Sequence, residues 1–152
     1  MTGMIDRDTT RAIEWDCART LTRFFNYFDQ WRYEDMADLF APDGVWHRQG
    51  KALQGKDAIV AVLNTRSRTQ TVRHVVSNVQ IDVADGTMAE FLLYVTAYIH
   101  DSGTKPAGPP TIQMPALLLV VPGQLVKWGE AWKVASMSMD REFVFGPKAT
   151  TA

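Results

Sequence analysis

Apolar residues recur at helical spacing between Arg11 and Trp31, where Cys17, Ala18, Leu21, Phe24, Phe25 and Phe28 fall on one stripe. Asp8, Thr9 and Thr10 precede it, residue types that accept from the free N–H groups of a first turn. A shorter helix is predicted from Tyr33 to Phe40, with Met36, Leu39 and Phe40 inward, ended by the turn Ala41-Pro42-Asp43-Gly44. Val45 to Arg48 reads as a short strand. Lys56 to Thr65 reads as a third helix, with Ile59, Val62 and Leu63 on one side. The period then changes to that of strands. Val72 to Val83 and Thr87 to His100 form a hairpin about the tight Asp85-Gly86 turn. Asp101 to Pro110 is a Gly/Pro-rich loop, and Thr111 to Val121 is a third long strand that Pro122-Gly123 turns back. Leu125 to Met139 is a fourth strand, or a pair with a bulge near Gly129, and Arg141 to Phe145 continues it. The tail from Gly146 is expected to be loose.

Helices first and antiparallel strands afterwards make an α+β layout, with helices packed on one face of a strongly curved sheet. Such a sheet leaves a concave, mostly apolar pocket beneath the helices, the kind of place where ligands bind. No repeat or linker interrupts the pattern, so residues 1–152 are expected to form a single domain with its core between about 11 and 145.

Composition narrows the function classes. The 152 residues are 46% hydrophobic and 22% charged, with a formal net charge of −1. That balance supports one core, and without a long basic run it argues against nucleic acid as a partner. Cys17 is the single cysteine, which excludes a disulfide within the chain and fits a reducing compartment. Its place on the buried stripe favours a small core residue over a nucleophile. Met1 to Thr10 is polar and lacks the apolar run of a signal peptide, and Ala116 to Val121 is too short to span a membrane. The expected location is the cytoplasm, with no membrane partner. No GxGxxG, GxxxxGK[ST] or GxSxG occurs, so nucleotide binding and a hydrolase elbow have no support.

The informative residues are polar ones where the pattern asks for apolar ones. Asp29 lies four residues after Phe25 and eight after Leu21, continuing their stripe toward the sheet. A carboxylate there needs partners, and at a helix C-terminus it also opposes the macrodipole. The alternative is a terminal residue turned to solvent. His74 shares one strand face with Val76 and Asn78, while Arg73, Val75 and Ser77 share the other. Neither face is purely apolar, so strand phase leaves its direction open. A buried aspartate beside it would orient the imidazole and stabilise the imidazolium formed when it takes a proton, making a general base. Tyr94 and Tyr98 share a face of the return strand; they can donate to a developing oxyanion or simply pack on the sheet. Trp46, His47 and Arg48 on the short strand, and Phe25 one turn before Asp29, are further candidates to contact a substrate. Arg66, Arg68 and Arg73 form a loose basic group, either a solvated face or a partner for a carboxylate or phosphate tail. Three single histidines, His47, His74 and His100, at unrelated spacings make a poor metal site.

Several stretches resemble the SnoaL-like branch of the nuclear transport factor two-like superfamily. They are the run from Phe28-Asp29-Gln30-Trp31 through Phe40-Ala41-Pro42-Asp43-Gly44-Val45-Trp46, then Gly55-Lys56-Asp57-Ala58-Ile59, then Arg73-His74-Val75-Val76-Ser77-Asn78, and finally Trp132-Lys133-Val134. Together they cover roughly Ile13 to Met139 in the family's order. The resemblance implies a cone-shaped α+β barrel, usually a homodimer or homotrimer. The branch includes scytalone dehydratase, hexachlorocyclohexane dehydrochlorinase and bile-acid dehydratase, which use an aspartate–histidine pair for proton abstraction and elimination without a cofactor. It places that pair at Asp29 and His74. Against scytalone dehydratase, a site tyrosine is replaced by Phe28, a second histidine falls at about Tyr98, and another tyrosine falls near Arg48.

The resemblance thus implies a cofactor-independent, dehydratase-like lyase acting on a small hydrophobic, aromatic or polycyclic substrate. In it His74 takes a proton, Asp29 supports the imidazole, and Tyr94, Tyr98 or Asn78 steadies an oxyanion. An isomerase or cyclase would use the same pair. A non-catalytic binding module or oxygenase subunit would instead keep Asp29 and His74 apart, or fill the pocket mouth with a partner chain.

Overall fold

A computed structural model of the protein describes residues 4–147. The beginning of the polar N-terminal stretch and the end of the tail lie outside the described residues. Asp6 opens helix α1 (Arg7–Asp29), its Oδ1 accepting from the N–H groups of Asp8 and Thr9, both at 2.9 Å. The helix therefore begins before Arg11, because the cap is Asp6 and not the Asp8–Thr10 run. Its buried stripe is Ile13, Cys17, Leu21, Phe24, Phe25 and Phe28. Burial, and then the nearby Asp16, push the Cys17 thiol up to about 12, so it is an inert core group.

α1 stops in a Schellman turn. Arg32 N–H donates to Tyr27 O at 2.9 Å, Trp31 N–H donates to Phe28 O at 3.2 Å, and Trp31 takes the left-handed φ of 61°. That conformation costs an ordinary residue about 1–2 kcal/mol. Stacking offsets it: the guanidinium carbons of Arg66 and Arg68 each lie 5.0 Å from the Trp31 ring centroid.

Helix α2 (Tyr33–Ala37) is followed by strands β1 (Phe40–Arg48) and β2 (Lys51–Gln54), then helix α3 (Gly55–Leu63). Strands β3 (Thr71–Val83), β4 (Met88–His100), β5 (Leu117–Trp128), β6 (Ala131–Ser138) and β7 (Asp140–Val144) complete the order. The sheet runs β2-β1-β6-β5-β4-β3, antiparallel throughout except for the parallel β1–β6 pair. β4 pairs along one side of β5, so β7, which also pairs with β5, extends the side that β6 occupies. The three helices pack on the curved sheet, which carries the expected α+β layout. The sheet is not closed into the expected cone-shaped barrel. Its ends, β2 and β3, remain edges, and α1 lies along β3 where closure would have needed another strand.

Two turn signals act differently from their sequence reading. The Ala41–Gly44 run sits inside β1 as an irregularity, across which pairing with β6 jumps from Phe40–Val134 to Val45–Ser136. The four-residue β2 was not anticipated. Gln49 and Gly50, at φ 52° and 76°, make the tight turn that brings Lys51 opposite Arg48. Pro122-Gly123 lies within β5 and not at its end, and the chain turns at Gly129 instead. Pro122 is tolerated because it falls where β5 passes from pairing with β7 to pairing with β6, a gap in the ladder that asks for no N–H. Gly123 is required there by close approach: a Cβ would sit 2.3 Å from Ser136 O and 2.4 Å from the Phe91 ring.

Gly123→Ala should therefore overpack the sheet and lower stability by about 1–3 kcal/mol, read from urea or thermal unfolding. An unchanged midpoint would contradict this packing.

Candidate active site

Asp29 is the last residue of α1, and His74 lies on edge strand β3. An edge strand presents unpaired N–H groups on its open side. Asp29 uses one: Oδ2 accepts the His74 backbone N–H at 2.8 Å, while Oδ1 meets His74 Nδ1 at 2.5 Å. Both side chains are only 8% exposed. The two donors compensate a carboxylate held against the unfavourable end of the helix dipole. A carboxylate oxygen only accepts, so Nδ1 carries the shared proton and the neutral ring keeps its lone pair on Nε2. Phe28 and Phe25 hold the ring from the helix side, with centroids 4.9 and 5.3 Å from the imidazole.

His74 faces a cavity of about 710 Å³ beneath the helices, a volume suited to a small organic ligand. Across the sheet, His74 is opposite Ala97, and Ala97 is opposite Leu117. This row, with the next inward residues Val72, Ile99 and Leu119, makes an apolar wall, and the small Ala97 leaves room directly beside the imidazole. The mouth is charged. Arg48, Arg66 and Arg141 line it together with Asp140. Arg66 donates to Tyr33 Oη at 2.5 Å and to Gln70 Oε1 at 2.6 Å, and stacks 4.2 Å over the Phe28 ring. Burial, and then the neighbouring Arg66 and Arg141, hold Arg48 below the ordinary arginine range.

Other expected positions divide by strand face. Arg48 faces inward and His47 outward, because alternation along β1 puts Arg48 on the same face as the buried Trp46 and His47, between them, on the other. Trp46 packs edge-on against Phe24 at 5.5 Å and belongs to the core behind the cavity, as Phe25 does. Tyr94 and Tyr98 do not reach the cavity. They sit opposite Ser77 and Arg73 on the outer face of the hairpin, while Ala97 and Ile99 point inward. Asn78 is also outside. It takes a left-handed φ of 52° at an irregularity between Ser77 and Gln80 that shifts the inward phase of β3 from His74 and Val76 to Ile81 and Val83. The basic group splits: Arg66 enters the mouth, Arg68 stays exposed on Trp31, and Arg73 turns outward. Arg141 and Met139 carried no sequence signal. They arrive at the cavity only because the strand breaks between β6 and β7. Among the described residues, no group of three His, Cys, Asp or Glu side chains is placed to hold a metal ion, and no helix is long and apolar enough to cross a membrane.

The model of one family, the SnoaL-like domain, matches residues 10–138. The chain belongs to the SnoaL-like domain family. No curated protein sequence matches it. Among solved structures, this SnoaL-like chain is similar to a candidate scytalone dehydratase from Novosphingobium aromaticivorans, at 20% identity and a TM-score of 0.77, covering 97% of this chain and 95% of that one. It is similar to a type 3 hexachlorocyclohexane dehydrochlorinase from Novosphingobium barchaimii, at 11% identity and a TM-score of 0.75, covering 92% and 93%. It also matches a Catenulispora acidiphila protein in complex with S-DNPA, at 22% identity and a TM-score of 0.69, covering 87% and 95%. At these identities the likeness is one of fold.

In this SnoaL-like domain the backbone bond from His74 to Asp29 seals an otherwise open edge. The His74 amide should exchange slowly with deuterium in the native protein and at least about tenfold faster in Asp29→Ala, as loss of a bond of ~1.5–3 kcal/mol to a charged acceptor implies. Equal exchange in the two proteins would show that Asp29 does not close the edge.

Proposed function

We propose that this SnoaL-like domain is a cofactor-independent lyase of the dehydratase or dehydrohalogenase type, acting on a small, largely apolar ring substrate. The observation that carries the reading is the Nδ1–Oδ1 contact of 2.5 Å between two nearly buried side chains, with the imidazole lining a cavity that has an apolar wall and a charged mouth. His74 is the catalytic base. Its Nε2 takes a proton from a carbon next to the one bearing the leaving group. The C–H electron pair becomes the new double bond, and the leaving group departs with its own bonding pair as halide, or as water once the imidazolium has returned the proton. Asp29 is a positioning residue: it fixes ring and tautomer and stabilises the imidazolium between the two proton transfers. An isomerase would use the same parts, returning the proton to another carbon of the substrate.

Two features support the lyase reading over a binding or assembly module. That alternative predicts either that Asp29 and His74 stand apart or that a partner chain fills the pocket mouth, and the first does not hold because they touch. The fold is also shared with structures whose names are those of a dehydrochlorinase and a candidate dehydratase. Tyr94, Tyr98 and Asn78 face away from His74, so they have no part in the proposed step.

A panel of ring alcohols and halides, followed by NMR in D₂O, tests the proposal through olefin formation and exchange of the abstracted proton. His74→Gln and Asp29→Asn should each lower the rate by about 10²–10⁴-fold with circular dichroism unchanged. A substrate turned over equally well by either folded variant would remove the pair from the mechanism.

A further inference from the structure

We propose that the substrate is an organic anion: an apolar ring compound whose carboxylate is held at the cavity mouth by Arg48 and Arg66 while the ring reaches His74. This names a substrate class for the site described above and rests on that reading of it.

Three guanidiniums from separate parts of the chain converge on one cavity: Arg48 ends β1, Arg66 follows α3, and Arg141 belongs to β7. None takes part in an ion pair among the described residues. Asp140 is the one carboxylate among the described lining residues, and it already accepts from Ser138 Oγ at 3.0 Å. Gathering like charges at a partly buried rim is unfavourable: burial first, and then the charges of Arg66 and Arg141, hold Arg48 below the ordinary arginine range. An anion between the guanidiniums relieves it.

Arg66 is also built for the task. Tyr33 and Gln70 fix two of its donors and Phe28 supports its face, so its long side chain is already ordered before any ligand arrives. Its remaining N–H groups, and the unbonded guanidinium of Arg48, suit the planar, two-oxygen acceptor of a carboxylate. Phe28 sets the spacing. Its ring touches the His74 ring on one side and Arg66 on another, so the anion subsite lies about one aromatic ring from the base. The wall formed by Val72, Ala97, Leu117 and Leu119 leaves the rest of the ligand in apolar surroundings.

Calorimetric titration with 2-naphthoate, its neutral isostere 2-naphthamide, and 2-naphthyl phosphate tests the inference without requiring turnover. Naphthoate should bind about tenfold or more tightly than the amide at low salt, as one charge-assisted pair at a partly desolvated site implies. The preference should shrink with added salt and fall several-fold in Arg66→Gln and in Arg48→Gln. Arg48 makes no hydrogen bond among the described residues, so its variant does not depend on how well the Arg66 network tolerates change. Equal affinity for acid and amide would overturn the proposal. So would a preference for the phosphate, or a preference lost in His74→Gln yet kept in both arginine variants, which would give the anion to the imidazolium. A missing anion preference alongside dyad-dependent elimination would overturn this inference alone. A preserved preference with activity indifferent to His74 would overturn the lyase reading alone.

Discussion

The site depends on one carboxylate that serves two donors of the same residue. Asp29 takes the main-chain N–H and the ring Nδ1 of His74, and in doing so joins the end of the longest helix to the open edge of the sheet. The interaction is structural and chemical at once. It gives an edge strand the hydrogen bond its position would otherwise leave to water, and it sets which imidazole nitrogen stays available. A carboxylate at a helix C-terminus is poorly placed for the helix itself. Its position is intelligible only with its two donors across the helix–sheet gap.

The surroundings work at two polarities. Behind the pair, Phe25 and Phe28 brace the imidazole, and Phe24 and Trp46 pack behind them in the core. In front, the inner faces of β3, β4 and β5 supply an apolar wall, and the arginines supply charge only at the rim. Strained backbone gathers nearby: Trp31 and Gln49 both take left-handed φ values beside the mouth, one stacked under Arg66 and Arg68, the other in the turn after Arg48. Stacking on the two arginines, and not residue preference, secures the Trp31 conformation, while the exposed Gln49 takes its own in the tight turn after Arg48.

Much of this was legible in the chain. Helical phase placed Asp29 on the buried stripe, and the Arg73-His74 to Asn78 stretch paired it with His74 through a resemblance that strand alternation alone did not supply. The hairpin and the helix-first order were plain because their periods are long and their turn signals strong. What failed was local. Pro122-Gly123 reads as a turn, yet it bridges two pairing partners of one strand, a fact about neighbours and not about the dipeptide. Tyr94 and Tyr98 shared a plausible face, but only the cross-strand partner Ala97 fixes which face of the hairpin is inward. Asn78 was lost to an irregularity that reverses the inward phase midway along β3. Arg66 resembled its exposed neighbours Arg68 and Arg73 in sequence; its contacts with Tyr33 and Phe28, both distant along the chain, and with the nearby Gln70 bring it into the cavity.

The proposed chemistry turns on Asp29 holding His74 as the Nδ1–H tautomer with an unprotonated Nε2 facing the cavity. Nitrogen-15 NMR of histidine-labelled protein, at a pH where the ring is neutral, reads this directly. His74 should show a protonated Nδ1 and a lone-pair Nε2, and this pattern should be lost or reversed in Asp29→Asn. A native His74 carrying its proton on Nε2, or freely exchanging between tautomers, would contradict it.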